Sequence, residues 1–208
     1  MYAELIRSSG DDLAVVNAAR VSFAKETSEF TEKDTKLIQY LARHNHWTPF
    51  SHVTATFRCA APIFVARQLF KHKVGLVENE VSRRYVSSEP QFYQPEKWRG
   101  APKDAKQGSS GVVAEQGYCY AYHDDVLRIA MAAYLSILDR GVAPEQARMV
   151  LPQSMMTEWI WTGSLSAFAR VCKLRMSDDA QAETSVIAND IFNQLSGIAP
   201  VSWLALNE

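Results

Sequence analysis

Two adjoining stretches decide the fold class: His52-Val-Thr-Ala-Thr-Phe-Arg-Cys-Ala60 and Ile63-Phe-Val-Ala-Arg-Gln-Leu-Phe-Lys-His-Lys73. The first alternates and is rich in β-branched and aromatic residues, which predicts a strand. Pro62 suits the first turn of a helix, so the second stretch is predicted to be a helix that Gly75 ends. A strand that leads directly into a helix indicates that the two kinds of element are mixed in this chain.

Outward from this centre, the pattern predicts a short strand over 2–7 and a helix over 11–21 that Asp11 or Asp12 caps. A capping box of Thr31 and Asp34 opens the next helix. Further helices are predicted over 115–140, 144–150, 153–176 and 178–196. The loop-forming residues concentrate in 86–118. We therefore expect one domain over 1–208, with a loop insertion near 95–117.

Composition excludes several classes of protein. The chain has 208 residues, 22 basic and 23 acidic side chains and a net charge of −1, which disfavours a protein that coats nucleic acid or an anionic membrane. No apolar run is long enough to span a bilayer, and residues 1–7 do not resemble a secretory signal. The three cysteines are far apart. A disulfide scaffold is thus disfavoured, and the cytoplasm is the expected location.

The densest polar segment runs from Arg67 to Tyr85 and holds five Lys or Arg residues and one His. On the predicted helix, Arg67 and Lys71 share one face, and residues 78–85 are predicted to form a loop. Such a cluster suits a phosphate-bearing heterocycle. A solvated helix end, where cations relieve the helix dipole, explains the same charges. The charge pattern alone leaves both interpretations open.

Two other features remain ambiguous from residue chemistry. The segment His44-Asn-His-Trp-Thr-Pro-Phe-Ser-His52 gathers three histidines, but their spacing matches no usual zinc site, so no metal is predicted. Arg148 and Arg175 lie in or beside mostly apolar predicted helices, where an arginine has either a carboxylate partner or an anionic ligand. The usual dinucleotide, P-loop, zinc-protease and nucleophile-elbow motifs are absent from the sequence.

Taken together, these segments resemble the flavin-dependent thymidylate synthases (the ThyX family). That family carries R-Q-x-x-R-H-R and N-E-x-S-x-R-Y, and this chain has Arg67-Gln-Leu-Phe-Lys-His-Lys73 and Asn79-Glu-Val-Ser-Arg-Arg-Tyr85. Other segments match family motifs in the same order along the chain. They are Ala18-Ala-Arg-Val-Ser-Phe23, His46-Trp-Thr-Pro-Phe-Ser-His52, Ala147-Arg-Met-Val-Leu-Pro152 and Leu174-Arg175 with Ala180-Gln-Ala-Glu183. The chain departs from the family at Lys71 and Lys73, which replace arginines, and at Arg170, where the family often has a flavin-side Asn.

The resemblance implies an α+β fold, with a small antiparallel sheet and surrounding helices, and a homotetramer whose sites lie between subunits. It implies reductive methylation of dUMP to dTMP with FAD, NADPH and methylenetetrahydrofolate. It assigns catalysis to Arg175, which faces the uracil, to Ser82, which positions the pyrimidine, and to His46, near the flavin and folate. It assigns dUMP binding to Gln68, Glu80, Ser82, Arg83, Arg84, Arg148 and Arg175. It assigns FAD binding to Ser22, Thr48, Lys71, His72, Lys73, Asn79, Glu80 and Arg170.

None of the cysteines is an obvious nucleophile, which agrees with a route that needs no thiol attack on the pyrimidine. Two alternatives remain at this stage. One is a flavin- or nucleotide-binding homologue without synthase activity, because the R-H-R motif is altered. The other is a nucleic-acid-binding module that uses residues 67–84. No nucleic-acid or membrane partner is expected, and the predicted partners are small molecules.

Overall fold

The centre of the molecule is a sheet of four antiparallel strands. The computed structural model describes residues 1–86, 88–103 and 108–208. Its strands are β1 (Tyr2–Ser9), β2 (Thr54–Pro62), β3 (Leu76–Glu80) and β4 (Met156–Ser164), in the spatial order β1-β2-β4-β3. Each neighbouring pair is antiparallel, so the predicted antiparallel sheet is confirmed.

Eight helices surround this sheet in the described part of the chain. They are α1 (Asp12–Arg20), α2 (Glu32–Arg43), α3 (Ile63–Leu69), α4 (Gln116–Asp139), α5 (Pro144–Ala147), α6 (Leu165–Arg175), α7 (Ala182–Leu195) and α8 (Pro200–Asn207). Short 3₁₀ turns follow α1 and α5 and precede β2. Asp11 caps α1 and the Thr31–Asp34 capping box is formed, which confirms both predicted helix starts.

Three sequence predictions about element type are wrong. The helix predicted to reach Lys73 ends at Leu69, because the chain turns at Phe70, whose ring packs edge-on against Trp159 at 5.3 Å. Strand β3, which spans Leu76–Glu80 and pairs with β4, includes the first three residues of the predicted loop, 78–80. The predicted helix 153–176 is strand β4 followed by α6. In β4 every second residue, including Thr157, Trp159 and Trp161, is buried in the core, which is the two-residue period of a strand.

The core is built on the face of the sheet that carries the tryptophans. Phe57 on β2 lies opposite Trp161 on β4, and Phe168 on α6 packs edge-on against both, at 5.2 and 5.4 Å between ring centroids. All three rings are fully buried. Such edge-to-face contacts add to the stabilisation from burial, so α6 is held firmly on the sheet with its last residue, Arg175, at the rim.

The outer edge of β1 is protected by side chains of α7. Asp190 accepts a hydrogen bond of 2.9 Å from the backbone N–H of Ala3, and the Gln194 amide bonds both Leu5 N–H and Ala3 C=O at 2.7 Å. These bonds satisfy backbone groups that an edge strand otherwise leaves free. Strand β1 therefore ends the sheet on this side, and β3 is its other edge.

The expected insertion near 95–117 is mostly without helix or strand in its described residues, and residues 104–107 of it lie outside the described part. An isolated bridge joins Arg99 to Val112. Arg99 also forms an ion pair with buried Glu183 on α7, with nitrogen–oxygen distances of 2.6 and 2.8 Å. This segment is thus tied to the body of the protein. Among the described residues, no helix has the length and apolar character needed to cross a membrane.

Candidate functional site

The turn after α3 meets the end of α6. Arg175 Nε donates a hydrogen bond of 3.0 Å to His72 Nε2, which joins residues 103 positions apart. Both side chains are partly buried. The fold thereby brings together two residues that the sequence predicted separately, one for the flavin and one for the uracil.

The electrostatic setting keeps His72 neutral. Burial lowers the pKa of His72, and the positive charges of Arg175 and Arg170 lower it further. Its Nε2 therefore carries a lone pair that accepts from Arg175, and its proton is on Nδ1. Burial also lowers the pKa of Arg175, but a guanidinium remains charged at physiological pH.

The connection from α3 to β3 is shaped by Gly75 and Arg170. Gly75 has φ +76°, and a Cβ on it would lie 3.1 Å from Ala167 Cβ, so this position favours glycine. Arg170 Nη2 donates to the Val74 carbonyl at 2.6 Å. Lys73 forms an ion pair with Glu78 on β3. The predicted flavin contacts Lys73 and Arg170 are therefore both engaged in holding this turn.

Strand β3 separates two residues that were predicted to lie in one loop. Glu80 is opposite Trp159 and Asn79 is opposite Ile160, so their side chains point to opposite faces of the sheet. Glu80 lies on the side of the tryptophans, where its Oε1 accepts a hydrogen bond of 2.8 Å from Thr157 Oγ1. Within a single chain, Asn79 and Glu80 cannot line the same side of a pocket.

The residues after β3 form an exposed turn that carries two guanidinium groups. Ser82 C=O accepts from the N–H of Tyr85 at 3.0 Å, and Ser82 Oγ accepts from Arg84 Nε at 3.2 Å. Arg83 donates to the Ser88 carbonyl. The Arg84 guanidinium lies 5.0 Å from the centroid of the Tyr85 ring. This part of the predicted loop is confirmed, and it offers positive charge to a phosphate.

Gln68 on α3 has an unsatisfied acceptor. Its Oε1 is buried and has no hydrogen-bond partner in the described structure. Leaving a buried carbonyl oxygen unpaired costs free energy, so the amide is suited to a ligand that supplies a donor. This is an independent reason, besides the sequence motif, to treat Gln68 as a binding residue.

A groove of about 890 Å³ lies between α2, α6 and α8. Its charged lining residues are Arg43, Arg170, Lys173 and Glu208, so cations outnumber carboxylate side chains, and Trp47, which is about half exposed, supplies a flat ring. Such a groove can hold a diphosphate against the cations and a planar ring system against the indole. Arg43, Trp47 and Lys173 were missed in the sequence. A tryptophan in a turn beside the predicted residues His46 and Thr48 was the available signal.

In the described part of the chain, four predicted residues form no side-chain hydrogen bond, ion pair or ring contact with the other predicted site residues. Ser22 lies in the exposed 3₁₀ turn after α1, Thr48 opens the turn before β2, and Arg148 Nε donates to the Glu145 carbonyl at 3.2 Å. The His46 ring lies near two other rings, at 6.1 Å from Tyr40 and 6.2 Å from His44. In the described residues, no cluster of three or more His, Cys, Asp or Glu is placed to hold a metal ion.

Two of the cysteines are placed where a thiolate is disfavoured. Cys59 and Cys172 are buried, and burial raises the pKa of Cys59 and raises that of Cys172 to about 12. Cys172 Sγ donates to the Ala188 carbonyl. A nucleophilic cysteine needs a lowered pKa and access, so the burial of these two thiols agrees with the prediction that they are not nucleophiles.

Comparison with known proteins gives a consistent result. The model of the family described as "Thymidylate synthase complementing protein" matches residues 4–201. A Thermus thermophilus protein named flavin-dependent thymidylate synthase is 40% identical over 207 residues, which is 100% of this chain and 76% of that protein. A Thermosipho africanus protein of the same name is 39% identical over 194 residues, covering 92% and 84%.

Among solved structures, this fold matches a crystal structure of the UMP/dUMP methylase PolB from Streptomyces cacaoi bound with 5-Br dUMP. The TM-score is 0.87 at 32% sequence identity, and the match covers 98% of this chain and 93% of that one. The likeness therefore extends over the sheet, the helices and the site described above.

Proposed function

The chain belongs to the thymidylate synthase complementing protein family, and from this membership we propose that it converts dUMP to dTMP by reductive methylation. It is an FAD-dependent methyltransferase. The observation that carries this conclusion is the match over 98% of the chain, with a TM-score of 0.87, to a UMP/dUMP methylase bound with 5-Br dUMP. The burial of Cys59 and Cys172 agrees with chemistry that does not use them as nucleophiles.

The groove residues fit FAD. Arg43, Arg170 and Lys173 supply positive charge for its diphosphate, and Trp47 supplies a surface for one of its ring systems. When bound and reduced, the flavin would supply a hydride to the pyrimidine, which completes the reduction of the transferred carbon to a methyl group. We propose NADPH as the source of that hydride and methylenetetrahydrofolate as the source of the carbon.

The nucleotide is proposed to lie against the end of α3 and the turn after β3. Its phosphate is held by Arg83, Arg84 and Arg148, and Gln68 Oε1 accepts a hydrogen bond from a hydroxyl group of its sugar. Glu80 is oriented by Thr157, and Ser82 positions the pyrimidine. Arg175 faces the uracil carbonyl, where its charge stabilises negative charge as it develops.

The remaining predicted residues are proposed to serve the flavin. They are Ser22, His46, Thr48, Lys71, Lys73 and Asn79. Because Asn79 and Glu80 point to opposite faces of the sheet, we propose that Asn79 contacts a flavin that also touches another subunit.

A homotetramer is proposed, and helix α4 supports it. Four side chains spaced along one side of α4, Tyr118, Tyr122, Val126 and Ile129, are each more than half exposed. An apolar stripe of this kind marks a surface that another protein covers, and a second copy of this chain is the proposed occupant. Light scattering should give a tetramer for the native protein and a smaller species for Ile129→Glu.

The proposed activity is tested with purified protein, FAD, dUMP, NADPH and methylenetetrahydrofolate. We expect dTMP in the complete mixture and none when FAD or dUMP is omitted. Arg175→Ala should lose dTMP formation and keep bound FAD, since Arg175 is placed at the uracil. Absence of dTMP from the complete mixture, with FAD bound, would contradict the proposal and favour a homologue without synthase activity.

A further inference from the structure

We propose that His72 is a positioning residue, whose neutral imidazole fixes the plane of the Arg175 guanidinium and so aims its two terminal nitrogens at the pyrimidine. The geometry that carries this is the 3.0 Å hydrogen bond from Arg175 Nε to His72 Nε2. The inference rests on the proposed function, and it gives His72 a task different from contact with the flavin.

The choice of donor atom on Arg175 matters. A guanidinium is planar and has five N–H donors in a fixed arrangement. When Nε is committed to His72, rotation about the last side-chain bonds is restricted, and the Nη groups remain available. A carbonyl oxygen of the substrate can then accept hydrogen bonds from the Nη groups. Because the guanidinium is already held in place, binding does not cost the entropy of ordering it.

The nature of the acceptor matters as well. A carboxylate in the place of His72 would hold Arg175 but would neutralise its charge. None of the ion pairs formed among the described residues includes Arg175. A neutral imidazole therefore fixes the direction of the guanidinium and leaves its full charge for the substrate, where the reaction needs it.

The surroundings of His72 keep it in the accepting form. From α6, the guanidinium groups of Arg175 and Arg170 face it, and on its own segment it is flanked by Lys71 and Lys73, of which Lys73 is paired with Glu78. Among the described residues, the two charged groups that act on the pKa of this imidazole, Arg175 and Arg170, are both positive. Protonation of His72 would turn Nε2 into a donor facing another donor, which breaks the bond.

This arrangement makes the orientation of Arg175 dependent on pH. Since the pKa of His72 is lowered in the folded protein, the hydrogen bond is intact at and above the ordinary histidine pKa. It is lost as the pH falls through the lowered value. We expect the affinity for deoxyuridine, which lacks the phosphate of dUMP that titrates at about pH 6, to show an acid limb at that lowered pKa, below the ordinary histidine value of about 6.5.

The experiment compares His72→Gln, His72→Phe and the matched control His52→Gln, which changes an exposed histidine outside the site. Glutamine presents an amide oxygen near the place of Nε2 and does not titrate, whereas phenylalanine fills the space with no acceptor. We expect His72→Phe to weaken dUMP binding about tenfold or more. His72→Gln should bind dUMP nearly as the native protein does and should lose the acid limb measured with deoxyuridine. In His72→Phe, the loss of dUMP affinity should exceed any loss of FAD affinity.

Nitrogen NMR of the protein without ligands gives a readout that is independent of activity. We expect a neutral His72 with its proton on Nδ1 and a pKa below the ordinary value. Loss of FAD affinity in His72→Phe with unchanged dUMP affinity would overturn the proposal, as would an acid limb with deoxyuridine that is retained in His72→Gln. If no dUMP binds to any protein, the proposed function fails, and the NMR result alone decides whether the His72–Arg175 bond exists.

Discussion

Thr157 Oγ1 donates a hydrogen bond of 2.8 Å to Glu80 Oε1 across the pair of strands β3 and β4. Thr157 is buried and Glu80 is exposed, so a fixed donor in the sheet holds one oxygen of a carboxylate at the surface. The second carboxylate oxygen remains available. A side chain prepared in this way is suited to accept a hydrogen bond from a nucleotide.

Replacement of Thr157 by valine should weaken dUMP binding by about fivefold, because Glu80 loses the donor that orients it and must be ordered by the ligand. Thr157→Ser keeps the hydroxyl and should bind dUMP nearly as the native protein does. Isothermal titration of the three proteins with dUMP checks this. Equal affinity in all three would show that the Thr157 hydrogen bond does not prepare Glu80 for the substrate.

Gly163 leaves no space for a side chain between β3 and β4. A Cβ on it would lie 2.3 Å from Leu76 Cδ2 and 2.9 Å from the Gly75 carbonyl oxygen. Gly163→Ala should therefore push β3 outward and lower the free energy of unfolding by about 2–3 kcal/mol. Gly117→Ala on α4, where a Cβ meets nothing within 4 Å, should be neutral or stabilise by up to about 1 kcal/mol. Urea denaturation of both variants tests the contrast.

The elements that the sequence predicted correctly are those with strong local signals. Strand β2 alternates and carries β-branched side chains, and the Thr31–Asp34 capping box fixes the start of α2. Strand β4 was missed because its second face, with Met156 and Ile160, is also partly apolar. Its alternation was therefore weak, and its length together with α6 suited a long helix.

The site could be predicted as a set of residues but not as an arrangement. The motif identified both His72 and Arg175, yet the hydrogen bond between them joins positions 103 apart and depends on the packing of α6 against the sheet. Strand β3 was read as a loop because it is short, polar and at the sheet edge. As a result, the separation of Asn79 and Glu80 onto two faces could not be foreseen.

Asp12 connects the start of α1 to the start of α8. Its two carboxylate oxygens accept from the backbone N–H groups of Val201 and Ser202 at 3.0 and 2.7 Å. Asp12→Ala leaves both donors unpaired and should cost about 2–4 kcal/mol of stability. Asp11 makes one capping bond, to the N–H of Ala14 at 3.0 Å, so Asp11→Ala should cost about 1 kcal/mol. Equal denaturation midpoints for Asp12→Ala and Asp11→Ala would contradict the prediction that Asp12 contributes more stability than Asp11.

Glu183 should make stability depend on acid pH. Burial acts to raise its pKa, but the hydrogen bonds and charge of Arg99, with a bond from Gln181, lower it below the ordinary value. A lowered carboxyl pKa contributes stability above the ordinary value of about 4.3, and this is lost as the pH falls through the lowered one. The stability difference between native protein and Glu183→Gln should therefore shrink on acidification. Denaturation at a series of pH values measures this difference. For the control Glu26→Gln, at an exposed position, the free energy of unfolding should change with pH as it does in the native protein.

The cationic groove between α2, α6 and α8 predicts how FAD affinity responds to single substitutions. Lys173→Ala removes one positive charge from the lining and leaves the bond from Arg170 to Val74 intact. Arg170→Ala removes both a charge and the bond that holds the turn before β3. Since a charge-assisted contact with phosphate is strong, we expect FAD affinity to fall several-fold in Lys173→Ala and about tenfold or more in Arg170→Ala.

Fluorescence titration with FAD measures both losses, with Lys33→Ala on the exposed side of α2 as the control. Raising the salt concentration should weaken FAD binding in the native protein more than in either groove variant, because part of the attraction to the diphosphate is already absent from them. If Arg170→Ala alone lost affinity while Lys173→Ala matched the native protein at every salt concentration, Arg170 would act through the Val74 turn, and the diphosphate would have to lie outside this groove.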